Sequence, residues 1–189
     1  MRQFEEFEEK TLARKTIFKG HVIEVAVDDV QLPDGGMAKR ELVFHNGAVG
    51  IIPITNEGRI VLVKQFRKPL EKVILEIPAG KIDPGEENAP EKTARRELEE
   101  ETGYQAERWQ SVTTMYLSPG FSNEKMYIYY AEELNKVENP LAQDEDEVLE
   151  LYELTLAEAK EEIRKGTICD SKTVYAIQYW ELQQMKQAK

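Results

Sequence analysis

Residues 80–104 read GKIDPGEENAPEKTARRELEEETGY, a turn-rich loop that runs straight into a helical segment crowded with carboxylates. Glu97, Glu100 and Glu101 stand at i, i+3 and i+4, a spacing that stacks them on one helix face. Like charges so placed destabilise a helix in water, so their clustering needs a reason. A hard divalent cation is one answer, because Mg²⁺ takes oxygen ligands and works beside substrate phosphates. A solvated acidic face is the other, and taken alone it is the commoner fate of a charge run.

Charge narrows the choice. Lys and Arg total 25 against 36 Asp and Glu, a net charge of -11 over 189 residues. So acidic a chain is a poor partner for nucleic acid or an anionic membrane. It suits an anionic phosphate substrate only where metal ions invert the local field. Cys169 is the sole cysteine, which excludes an intrachain disulfide and fits a reducing, cytoplasmic setting. The first residues, MRQFEEFEEKTLARK, lack the apolar stretch of a signal peptide. No run approaches the roughly 20 apolar residues of a membrane span. The length suits one domain with a small appendage.

Punctuation by Gly, Pro and Asn outlines the elements. IFKGHVIEVAVDDVQL and AKRELVF read as strands around the turn LPDGG. AVGIIPI and RIVLVKQF are apolar runs separated by Thr55-Asn56-Glu57-Gly58, a hairpin signal, and VILEIPAG follows as a further strand. For the carboxylate helix, Asn88 is the expected N-cap, Pro90 sits in the first turn, and Gly103 closes it. QSVTTMYL, EKMYIYYAEEL and VLELYEL read as later strands. Thr155 with Glu158 marks a second helix start, and Gly166 its end. A last helix spans about Ser171 to Gln187, with Val174, Ile177, Leu182 and Met185 as its expected apolar face. Strands on both sides of a central helix, with another helix at the end, predict an α/β fold: a helix–sheet–helix sandwich with a mixed sheet.

Gly80, five residues, Glu86, and then Arg96-Glu97-Leu98-Glu99-Glu100-Glu101-Thr102-Gly103-Tyr104 resembles the signature of the Nudix hydrolase family. The second half of that signature fits at every fixed position. The first half departs from it: nine residues, not seven, separate Glu86 from Arg96, so either Glu86 or Glu87 fills the first glutamate position. The resemblance implies a Nudix-type α/β/α sandwich with a small N-terminal β region. It also implies a domain at residues 46–189 preceded by a dimerising strand region at 1–45. Glu97, Glu100 and Glu101, with the carbonyl of Ala79, become expected ligands of Mg²⁺, or alternatively Mn²⁺. Arg96 becomes the residue that orients a carboxylate.

Pro119 lies 16 positions after Gly103, and its Ser-Pro-Gly setting resembles the ADP-ribose pyrophosphatase branch. In that branch the equivalents of Arg40, Arg67 and Glu124 help hold the dinucleotide, and Glu76 belongs to the strand leading into the motif. The acidic run QDEDE, before the strand VLELYEL, is in isolation a solvated loop. By resemblance it supplies the catalytic base, Glu147 first and Glu145 second. The expected activity is Mg²⁺-dependent hydrolysis of ADP-ribose to AMP and ribose 5-phosphate by a cytoplasmic homodimer. Another nucleoside diphosphate sugar such as GDP-mannose is the alternative substrate. From a different class, a non-catalytic nucleotide-sensing regulator is the rival, though such proteins usually lose motif carboxylates. A Ca²⁺ module built on QDEDE ranks last, lacking the ligand spacing and glycine of an EF-hand.

Overall fold

The structure is a computed structural model that describes residues 3–83, 85–86, 88–143 and 147–187. In chain order the strands and helices are β1 (Lys10–Lys19), β2 (Ile23–Gln31), β3 (Met37–His45), β4 (Ala48–Pro53), β5 (Ile60–Arg67), β6 (Lys72–Glu76), β7 (Ala79–Lys81), α1 (Pro90–Thr102), β8 (Tyr104–Tyr116), β9 (Lys125–Lys136), β10 (Glu150–Leu154), α2 (Leu156–Lys165) and α3 (Ser171–Gln187). They divide into two units: the chain up to Gly47 with the segment Tyr116–Lys125, and Ala48–Met115 with Met126–Lys189.

The first unit is an antiparallel meander, β1-β2-β3, turned at Leu32–Gly36 by hydrogen bonds between those two residues and from Gly35 to Leu32. Ala26, Asp28 and Val30 alternate along β2 as its buried side. Asp28 is gripped by Arg14 through Nε (2.7 Å) and Nη2 (2.8 Å). Every position of β1 is exposed. The 116–125 segment joins β3 through the Val43 N–H donated to Phe121 (2.8 Å) and the Asn123 N–H donated to Val43 (3.1 Å).

The second unit has two sheets. β4 pairs antiparallel with β7 and parallel with β9, giving the mixed order β7-β4-β9-β8. The other sheet is antiparallel, β10-β5-β6. All six residues of β4 are buried, as a strand covered on both faces must be. Val49 and Ile51 meet Ala94 and Leu98 of α1 in one cluster, while Gly50 points at Ile77 and Ile128 on the alternate face. Helix α1 packs on β4, β5 and β7, and α3 packs on β4. The sandwich with a mixed sheet is thus present.

Three expectations are corrected. Thr55–Gly58 does make a tight hairpin turn, with the Gly58 N–H donated to Thr55 and Ile54 bridging Ile60 antiparallel, but beyond that single bridge the two strands enter different sheets. The N-cap of α1 is Ala89, not Asn88. The loop closes instead by the Ala89 N–H donated to the Glu86 carbonyl (2.8 Å) and the Thr93 hydroxyl donated to the Glu86 carboxylate (3.0 Å), which supplies the first turn with a side-chain anchor. On α3 the buried residues include Lys172, Thr173, Ala176, Ile177 and Trp180, whereas Leu182 and Met185 are exposed. The inner face is part polar, so an apolar pattern finds Ile177 but misplaces Leu182 and Met185.

Candidate active site

Helix α1 decides which carboxylates turn inward. Ala94 and Leu98 are fully buried and fix its rotation, and Glu97 and Glu101 share their stripe at i+3 and i+7 from Ala94. Glu101 is therefore only 2 % exposed and the Glu97 side chain 13 %. Gly103 ends the helix in the left-handed region at φ 69°, its N–H donated to Glu99 (2.8 Å). Glu101 accepts the Ala79 N–H at 3.1 Å, which ties the helix to β7. Ala79 thus meets the site through its N–H, and the role expected of its carbonyl is a separate matter.

Gly80 explains the close fit of strand and helix. A Cβ at this position would fall inside the Glu97 side chain, overlapping its carboxyl and γ carbons. The glycine that opens the motif makes room for a carboxylate to lie against the backbone.

Arg96 is one cation among four carboxylates. It bonds Glu100 through Nη1 (2.5 Å) and Glu97 through Nη2 (2.9 Å), with Glu86 at 3.9 Å and Asp83 at 3.8 Å. Glu86 consequently sits at the motif arginine despite the two extra loop residues, while Glu87 lies outside the described residues. The charge is still not balanced. Burial pushes Glu97 up to about 7 against the pull of Arg96, with Glu100 and Glu147 adding repulsion. Burial raises Glu101 well above the carboxylate range, and Glu147 and Glu97 raise it further, opposed by the Ala79 N–H and Arg67. Glu147 is thus close enough for its charge to be felt by both inward glutamates. Glu145, the second choice from this loop, lies outside the described residues.

A divalent cation fits this arrangement. Among the described residues no three His, Cys, Asp or Glu side chains are gathered closely enough to hold a metal between them, and Glu100 is engaged by Arg96. Mg²⁺, however, is commonly held by one or two carboxylates with waters and substrate phosphates completing its shell. Two buried oxygen-donor groups raised by burial and by neighbouring carboxylates, one of them lying over a glycine, are what such an ion would relieve.

The remaining candidates are spread over both units. In the second, Arg67 makes a two-pronged bond to Glu76 (2.7 and 2.6 Å), and Glu76 is 1 % exposed. Buried so, Glu76 serves to hold Arg67. In the first unit, Arg40 pairs with Glu9 through Nε at 2.8 Å, Pro119 sits exposed in the Ser118–Ser122 turn, and the Glu124 N–H is donated to the Ser122 hydroxyl. Lys172 escaped sequence reading altogether. It bonds Glu76 across 96 residues of chain, and no local pattern announces that partnership.

The NUDIX domain profile matches residues 44–174, most of the chain. The chain belongs to the NUDIX family. Members of this family act with divalent metal ions. This Nudix chain is 51 % identical over 182 residues to an ADP-ribose pyrophosphatase of Bacillus subtilis (strain 168), spanning 96 % of itself and 97 % of that relative. It is 53 % identical over 178 residues to a methanol dehydrogenase activator of Bacillus methanolicus, spanning 94 % and 95 %. A solved structure described as an ADP compounds hydrolase superposes with a TM-score of 0.83 at 24 % identity, spanning 96 % of both chains, which establishes the Nudix fold. No helix among the described residues is long and apolar enough to cross a membrane.

Proposed function

We propose that this Nudix chain hydrolyses the diphosphate of ADP-ribose with Mg²⁺, or alternatively Mn²⁺, giving AMP and ribose 5-phosphate. The observation that carries the reading is the Glu97–Glu101 pair, two carboxyls buried against Ala79 and Gly80 whose ionised forms a cation would stabilise. The choice of ADP-ribose is supported by the Bacillus subtilis relative, similar along almost the whole length of both chains.

Glu97 and Glu101, with the carbonyl of Ala79 and Glu100 on release from Arg96, would hold the ions. Bound there, they would supply a positive field that neutralises the diphosphate and eases deprotonation of water. Arg67 presents a guanidinium 39 % exposed on its side chain to the diphosphate oxygens. Arg96 keeps the motif carboxylates oriented. Glu147 takes the proton of the attacking water, with Glu145 as the alternative base from the same loop. The water attacks one phosphorus in line, and the other phosphate departs. Arg40, Pro119 and Glu124 stand as further substrate contacts, and a homodimer as the working assembly in the cytoplasm.

The test is hydrolysis of a panel of dinucleotides and nucleoside diphosphate sugars in oxygen-labelled water, with Mg²⁺ and Mn²⁺ compared. ADP-ribose is expected to be turned over fastest, with label entering one phosphate product. Preference for GDP-mannose would reverse the substrate assignment. Glu147→Gln should lower kcat by about 10²–10⁴-fold, the range of a removed general base. Near-parental turnover in that variant would remove Glu147 from the mechanism. The Bacillus methanolicus relative favours a second reading, in which this chain activates a dehydrogenase. Adding the chain to a methanol dehydrogenase and following alcohol oxidation separates the two.

A further inference from the structure

Arg67 is the outermost of four charges linked in a row. Its partner Glu76 also accepts from Lys172 Nζ at 2.6 Å, on the oxygen that Arg67 Nη2 already uses. Lys172 donates as well to Asp170 Oδ2 at 2.9 Å. The same Asp170 oxygen accepts the Thr173 N–H at 3.1 Å and so anchors the start of α3. Thr173 in turn accepts the Ile77 N–H on its hydroxyl at 3.0 Å. The first turn of α3 therefore grips two successive residues, Glu76 by its side chain and Ile77 by its backbone. Those residues lead directly into Ala79 and Gly80.

Two cations and two carboxylates make this row neutral, which is how ionised groups survive burial. The sharing matters for Arg67. With Lys172 in place, Glu76 divides its charge between two donors, and part of the Arg67 field stays available outward. Without Lys172, Glu76 and Arg67 would neutralise each other fully, and the guanidinium would be drawn in toward the buried carboxylate.

We propose that Lys172, held by Asp170, is a positioning residue for substrate: through Glu76 it sets the place and the free charge of Arg67 toward the diphosphate. This rests on the reading above in which Arg67 contacts the diphosphate. A row serving only stability would anchor α3 and nothing more.

Steady-state kinetics on ADP-ribose with Arg67→Ala, Lys172→Met, Lys172→Arg and the double variant Arg67→Ala/Lys172→Met separate these roles. Lys172→Met is expected to raise KM about tenfold while kcat stays within about twofold, within the range of couplings between linked residues. Lys172→Arg should recover most of that loss. In the Arg67→Ala background, Lys172→Met should change KM by less than about twofold, because its route to substrate is gone. An equal KM rise in both backgrounds, or no rise in a Lys172→Met protein that melts cooperatively, overturns the inference. If Arg67→Ala itself leaves KM unchanged, the diphosphate contact is refuted instead. Should Lys172→Met lack a melting transition, Asp170→Asn carries the test, since asparagine keeps an oxygen for the Thr173 N–H and removes the negative charge that holds Lys172. A KM rise that disappears in the Arg67→Ala background is again expected, and an unchanged KM overturns the inference.

Discussion

Metal-free protein should lose stability as pH rises through neutrality, and the part of the loss due to Glu97 can be sized. Its folded value of about 7 stands above the ordinary 4.5, because burial disfavours the charged form. The folded state thus holds the proton more tightly than the unfolded chain. The contribution is complete below the unfolded value and gone once pH has passed the folded one. A shift of that size corresponds to about 3 kcal/mol in full. Between about pH 5.5 and pH 8 linkage assigns some 2 kcal/mol of it, or about 4–8 °C in Tm for a chain this long. The assay is thermal denaturation in EDTA across that range, on the parent and on Glu97→Gln. The variant cannot titrate at this position, so its Tm should fall more gently, with the residual slope coming from Glu101. Mg²⁺ requires the ionised carboxylates and should reverse the trend, raising Tm more at about pH 8 than at about pH 6. Equal slopes for parent and variant in EDTA, or equal stabilisation by Mg²⁺ at both pH values, would refute the reasoning.

Two further outcomes follow from packing. Gly80→Ala must push Glu97 off its bed, so Mg²⁺ affinity by titration calorimetry should fall about 10–100-fold, as when metal-supporting residues are lost. Stability should move little, since alanine suits a strand better than glycine by about 0.5–1 kcal/mol. Leu98→Ala opens a cavity between α1 and β4 at a fully buried position, and urea denaturation should show a loss of about 2–5 kcal/mol.

What could be read in the sequence was whatever a few neighbouring residues dictate. Gly103 and Gly166 both end helices with positive φ, and Thr155 with Glu158 forms the expected reciprocal cap. The inward pair Glu97 and Glu101 follows from the helical stripe that Leu98 defines. What failed depended on distant parts of the chain. Asn88 has a good capping side chain, but Glu86 had already fastened the loop to Thr93. Leu182 and Met185 look apolar at helical spacing, yet the buried face is chosen by Lys172 and Thr173, whose partners Glu76 and Ile77 lie on another element. The turn at Thr55–Gly58 was legible as a turn, but which sheet each strand joins is settled by β9 and β10.

The parallel pairing of β4 with β9 has a kinetic consequence. Ala48 lies opposite Met126, so the central ladder of the second unit joins positions 78 residues apart. Contacts so remote must close a long loop before they return any energy, which slows folding. The contact between Ala79 and Glu101 spans only 22 residues, whereas that of Lys172 with Glu76 arrives from the far side of that loop. On refolding from denaturant, helical signal should therefore recover first and hydrolysis last, with the interval marking the docking of the C-terminal third onto a motif already formed.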